Sequence, residues 1–88
     1  MLVYWLENHS AQGGNTMYVY TDFDRAINAL TDVYAIQYSN GAPLVVARQA
    51  AEVQVAILLD WNKRHRGDIT RGTVYTFHDF HLRAAELI

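Results

Sequence analysis

The chain has 88 residues and no cysteine, and Asp, Glu, Lys and Arg together make up only 18% of it. An average soluble domain carries roughly 25% of these residues, so the chain is short of charge, and its net charge is only −2. This composition excludes a disordered charged tail and a disulfide-stapled mini-protein. The length fits one domain spanning residues 1–88.

The near-neutral charge also gives the protein no global attraction to nucleic acid or to anionic lipid. No stretch of the sequence provides the ~20 apolar residues that a membrane span needs. The first residues lack the basic segment and the long apolar run of a signal peptide. Together with the absence of cysteine, these features predict a cytoplasmic protein.

Alternating apolar residues predict two strands at the start of the chain, over residues 2–7 and 16–21. A polar segment with Gly13 and Gly14 lies between them and is typical of a hairpin loop. The two strands are therefore expected to pair.

The period then changes to that of a helix, because Phe23, Ile27 and Leu30 recur at helical spacing. Thr21 or Asp22 can cap this helix by accepting a hydrogen bond from its first turn. Alternation returns over residues 33–38, which predicts a third strand.

Residues 44–46 admit two interpretations. Pro43 suits the first turn of a helix, whereas the β-branched residues that follow favour a short strand, and we favour the strand. From residue 47 to 65 the helical periodicity is strong, and Gly67 is well placed to end the helix.

Residues 73–77 alternate once more and predict a strand, after which Asp79 is expected to cap a last helix that ends at Ile88. Apart from the first strand and the last helix, the predicted order is βαββαβ, the ferredoxin-like arrangement. The plainer alternative is an antiparallel sheet with helices on one side. The predicted fold class is therefore α+β, with a single-layer antiparallel or mixed sheet of four or five strands against two or three helices.

Two features indicate a partner surface. Tyrosines concentrate on the predicted strands, and Tyr is enriched at interfaces, although it also favours strands and fills the cores of small domains. Gln54 lies on the apolar side of the long helix, where its amide needs a partner, either at a dimer seam or in the core. The predicted interface residues are Tyr18, Tyr20, Tyr34, Tyr38, Gln54, Trp61 and Tyr75.

The sequence thus predicts a small non-enzymatic interaction module, a homodimer that acts as an adaptor or inhibitor of a protein partner. Such modules are common among accessory proteins of phages and mobile elements, and this origin is a guess from size alone. No cofactor is expected, and without cysteine thiol catalysis is excluded.

Two alternatives remain open. A basic segment can contact a phosphate backbone, which predicts nucleic-acid binding through Lys63, Arg64, Arg66 and Arg71. His78 and His81, three residues apart on the predicted last helix, can face one metal ion, which predicts a metal-dependent enzyme or sensor if a third ligand joins them.

Overall fold

The structure is a computed structural model that describes residues 1–10 and 18–87. It contains four strands and two helices in the order ββααββ. These elements are β1 (Leu2–Asn8), β2 (Tyr18–Tyr20), α1 (Phe23–Gln37), α2 (Leu44–Arg66), β3 (Val74–Phe77) and β4 (Phe80–Glu86). The predicted glycine-containing loop and the first residues of the predicted second strand lie outside the described residues.

All strand pairs in the sheet are antiparallel, and the strand order is β2-β1-β4-β3. The central pair runs the length of β1, with Leu2 opposite Glu86 and Asn8 opposite Phe80. The α+β class with a small antiparallel sheet is therefore confirmed. The ferredoxin-like order is not the order found, because a helical hairpin separates two strand hairpins.

The core lies between one face of the sheet and the two helices. Alternate residues of the strands point to this face, as the two-residue period of a strand requires. The helices contribute small and aliphatic residues at helical spacing. The buried cluster includes Leu6, Tyr75, Phe77, Phe80 and Leu82 from the strands, Ala26, Leu30 and Tyr34 from α1, and Ala47, Ala51 and Val55 from α2.

The prediction of a strand over residues 33–38 was wrong, because α1 continues to Gln37. Tyr34 is buried one turn after Leu30, and its ring centroid lies 4.5 Å from that of Tyr38. The local preference of these residues for strands yields to the packing of the helix against the core. The cap of α1 is confirmed, since Asp22 Oδ1 accepts a hydrogen bond from Asp24 N at 2.8 Å.

The prediction of a short strand over residues 44–46 was also wrong, because α2 begins at Leu44 directly after Pro43. The Pro43 carbonyl accepts the hydrogen bond of Ala47 N at 3.0 Å, as expected for proline at a helix start. Gly67, with φ of 74°, ends the helix, which confirms its predicted role. Among the described residues, no helix has the length and apolarity needed to cross a membrane.

The prediction of a last helix from Asp79 was wrong, because Phe80–Glu86 form a strand, β4; its predicted end at Ile88 lies outside the described residues. Phe80, Leu82 and Ala84 are buried while the residues between them are partly exposed, which is the period of a strand. Asp79 is therefore not a helix cap. It forms the connection between β3 and β4 together with His78, whose φ is 54°.

Candidate interaction surface

The face of α2 that points away from the core carries a row of apolar side chains. Because a helix repeats every 3.6 residues, positions 46, 50, 53, 57 and 61 fall on one face. The exposed fractions are 54% for Val46, 63% for Val53, 58% for Ile57 and 41% for Trp61, and Ala50 is exposed as well. We call these five residues the α2 stripe. At 1.5 Å per residue it is about 22 Å long.

The α2 stripe contains no charged residue. Arg48 and Glu52 lie on the other side of the helix, toward α1. Arg48 Nε is 3.3 Å from Asp32 Oδ1 and 3.7 Å from Glu52 Oε1. The two charged residues of α2 between Val46 and Ile57 are therefore engaged beside α1. Asp60 and Arg64, which form an ion pair with one another, lie at the C-terminal end of the apolar face.

A groove of about 720 Å³ lies beside the stripe, between the end of α1, the middle of α2 and the connection between β3 and β4. Its floor is formed by small side chains of α2, which keep it concave. Ala50 belongs both to the groove and to the α2 stripe, so the two surfaces are continuous. The lining residues are Tyr34, Ala35, Tyr38, Ala47, Ala50, Ala51, Gln54, His78 and Asp79.

The polar groups of the groove are arranged around one carboxylate. Asp79 Oδ2 accepts hydrogen bonds from the Tyr38 hydroxyl at 2.8 Å and from Gln37 Nε2 at 3.0 Å. Burial raises the pKa of Tyr38, and the hydrogen bond to Asp79 raises it further. Burial also raises the pKa of Tyr34. The groove thus presents neutral phenols and a satisfied carboxylate at neutral pH.

The predicted interface residues lie in several different parts of the structure. Tyr34, Tyr38 and Gln54 meet in the groove, and Trp61 belongs to the α2 stripe. Tyr18 and Tyr20 lie on β2 at an edge of the sheet. Tyr75 is fully buried, and its hydroxyl donates to the Gly67 carbonyl.

Of the α2 stripe, the sequence interpretation includes only Trp61 among the interface residues and misses Val46, Ala50, Val53 and Ile57. The sequence interpretation places Val46 on a strand and starts the helix at residue 47. The N-terminal end of the stripe therefore lies outside the predicted helix. With a helix that starts at Leu44, the spacing of the five residues is visible in the sequence alone. The exposure of these five side chains cannot be predicted from the sequence, because an apolar helix face normally indicates the side that packs on the core.

The basic segment at the end of α2 has local partners. Lys63 Nζ lies 5.7 Å from the centroid of the Phe23 ring, and the guanidinium of Arg66 lies 6.0 Å from the Trp61 ring. Arg64 forms an ion pair with Asp60. Cations are also stabilised at a helix C-terminus by its dipole. Arg71 is exposed in the turn before β3.

His78 and His81 do not face one another as the predicted helix required. His78 lies in the groove, with its ring 5.9 Å from that of Tyr34. His81 alternates with the buried residues of β4 and therefore lies on the outer face of the sheet. Its ring stacks on that of His9 at 4.1 Å.

Glu7 on the outer face is strongly held as an anion. Burial opposes its ionisation, but hydrogen bonds to Trp5, His9 and Arg83 and the charge of Arg83 outweigh it and lower the pKa to about 2. Trp5 Nε1 donates to Glu7 Oε2 at 2.8 Å, and Arg83 Nε donates to Oε1 at 3.0 Å.

Comparison of the chain with protein-family models, with curated proteins and with solved structures found no match. Its function therefore has to be argued from these surfaces.

Proposed function

We propose that the protein is a non-enzymatic protein-interaction module that forms a homodimer through the α2 stripe and acts as an adaptor or inhibitor of a protein partner. The observation that supports this proposal best is the exposure of Val46, Val53, Ile57 and Trp61 on one helix face. Removing apolar surface from water contributes roughly 25 cal/mol per Å², and contiguous apolar patches on small proteins usually mark binding sites.

The stripe is complementary to a second copy of itself in antiparallel orientation. If the two-fold axis passes between residues 53 and 54, Trp61 of one protomer faces Val46 of its partner, and Ile57 faces Ala50. Each large side chain then meets a smaller one, which favours close packing. Gln54 lies at the seam beside Val53. A two-fold symmetric interface of this kind uses the same patch on both subunits.

Charge also favours the antiparallel orientation. In a parallel pair the basic ends of both α2 helices, with Lys63, Arg64 and Arg66, would lie side by side and repel one another. In an antiparallel pair each basic end lies beside the uncharged start of the other helix, at Leu44 and Val45. The groove is left at the side of this pair, where its tyrosines Tyr34 and Tyr38 are available to a protein partner.

Replacement of Ile57 by lysine tests the dimer. Ile57→Lys places a charge in the middle of the apolar seam, where it cannot be solvated, so we expect the variant to be a monomer. Light scattering after size-exclusion chromatography measures the mass directly, and the wild-type protein is expected to elute as a dimer at micromolar concentration.

Ile36→Lys is the matched control, because Ile36 is an isoleucine on α1, 67% exposed and off the stripe. This variant is expected to remain a dimer. A wild-type protein that stays monomeric at several hundred micromolar would overturn the proposal. Equal dissociation of both variants would show that the stripe has no special role.

A further inference from the structure

The outer face of the sheet holds a second cluster, far from the α2 stripe in the fold. Glu7 on β1 pairs directly opposite His81 on β4, and His9 follows two residues after Glu7, on the same side of the chain. One potential ligand atom from each of Glu7, His9 and His81 lies within 4.8 Å of the other two. The antiparallel register therefore brings together two imidazoles and a carboxylate that are far apart in the sequence.

This donor set is the one that divalent transition metals prefer. Two histidines and one carboxylate bind zinc, iron and related ions and leave further coordination positions open. Glu7 is oriented by hydrogen bonds from Trp5 Nε1 and Arg83 Nε. Such outer hydrogen bonds orient the carboxylate ligand of many metal sites.

A separate observation at His81 also points to a ligand. Nδ1 of His81 is buried and has no hydrogen-bond partner within residues 1–10 and 18–87. A buried polar atom without a partner costs free energy, and native structures rarely retain one without a reason. A metal ion or a metal-bound water satisfies such a nitrogen.

We propose that Glu7, His9 and His81 form a binding site for a divalent transition-metal ion, with zinc as the representative. His9 Nε2 now lies 2.8 Å from Glu7 Oε1, and the ion replaces this contact. Its side chain is 37% exposed and follows the end of β1, so it has room to turn toward the ion. Ligation at typical distances of about 2.0–2.2 Å draws the three side chains together.

The bound ion ties the end of β1 to β4 and leaves open coordination positions at the outer surface. This site does not depend on the α2 stripe, because it lies on the sheet face opposite the helices. It also differs from the site predicted from the sequence, since His78 takes no part in it.

The chain contains four histidines, which provide matched controls for a zinc titration. We expect chelator-treated protein to bind one Zn²⁺ per chain in isothermal titration calorimetry. In NMR spectra of the imidazole nitrogens, the resonances of His9 and His81 shift, while those of His65 and His78 remain in place.

His9→Ala and His81→Ala are expected to weaken zinc binding at least tenfold, whereas His65→Ala and His78→Ala leave it unchanged. His9 lies outside the strands, so its variant retains the fold, which circular dichroism verifies. No binding at millimolar zinc would overturn the proposal. An equal loss of affinity in the two control variants would do so as well, because it would indicate unspecific binding to surface histidines.

Discussion

Asn62 shows how a single side chain can join a helix to the edge of a sheet. It is fully buried on α2, and its amide contacts both backbone groups of Thr76 on the edge strand β3. Asn62 Nδ2 donates to the Thr76 carbonyl at 2.9 Å, and Thr76 N donates to Asn62 Oδ1 at 2.9 Å. The amide thus forms the pair of hydrogen bonds that a neighbouring strand would form, and it covers part of the edge of the sheet.

Asn62→Ala is expected to lower the free energy of unfolding by about 2–4 kcal/mol, because it leaves a cavity and two unpaired backbone groups at a buried edge. Urea denaturation measures the loss. Asn28→Ala on the exposed side of α1 is the control and is expected to change stability by less than about 1 kcal/mol. Equal effects at both positions would contradict the role assigned to Asn62.

The residue-scale features that the sequence predicted correctly are local ones. Asp22 bonds to the backbone two residues away, and Gly67 adopts a positive φ at the end of its own helix. The role of Asn62 depends on a strand 14 residues further along the chain. The sequence predicts this strand over residues 73–77, and β3 confirms it, but no pattern indicates that Asn62 packs against it, so the role of Asn62 becomes visible only in the folded structure.

The distinction between local features and contacts that are distant in the sequence also holds for the secondary-structure elements. Residues 80–86 contain Leu82, Arg83, Ala84 and Glu86, which favour helices individually, yet they form β4 because β1 and β3 pair on its two sides. The reverse holds at the end of α1, where Tyr34 favours a strand but packs as part of a helix. Contacts with distant parts of the chain decide both cases, by strand pairing for β4 and by packing against the core for Tyr34. Local propensity cannot predict such contacts.

The orientation of two α2 helices in the proposed dimer can be tested with single cysteines, because the chain has none of its own. Under mild oxidation Val53→Cys is expected to form a disulfide between protomers, since residue 53 lies beside the two-fold axis. Val46→Cys is the control on the same face. Its two copies lie about 22 Å apart in an antiparallel pair, which no disulfide spans. Cross-linking of both variants would indicate a parallel pair instead.

At the scale of the whole molecule, the two helices cover one face of a single-layer sheet, and the two proposed binding surfaces lie on opposite sides of the fold. The α2 stripe and its groove lie on the helical side, whereas Glu7, His9 and His81 lie on the outer side of the sheet. Of the seven residues from which the sequence indicates an interaction protein, Tyr34, Tyr38 and Gln54 meet in the groove, although the two tyrosines were predicted on a strand and not at the end of α1. It could not indicate the histidine cluster, because β4 was interpreted as a helix and its pairing with β1 was not foreseen.

If the two surfaces are independent, dimerisation and zinc binding contribute separately to thermal stability. A dimer that unfolds to separated chains becomes more stable as its concentration rises, and each tenfold increase adds about 1.4 kcal/mol per mole of dimer. Because the two chains of the dimer unfold together, the midpoint then rises by roughly 3–6 °C per tenfold. We expect this rise in the wild-type protein and not in Ile57→Lys when differential scanning calorimetry is performed at several concentrations.

Zinc is expected to raise the midpoint of both proteins by a similar amount, because binding to the native state stabilises it irrespective of its oligomeric state. His9→Ala serves as the complementary control, since it retains the concentration dependence and loses the response to zinc. A zinc response that disappears in Ile57→Lys would show that the metal acts through the dimer. The outer face of the sheet and the α2 stripe would then be parts of one coupled surface and not two independent sites.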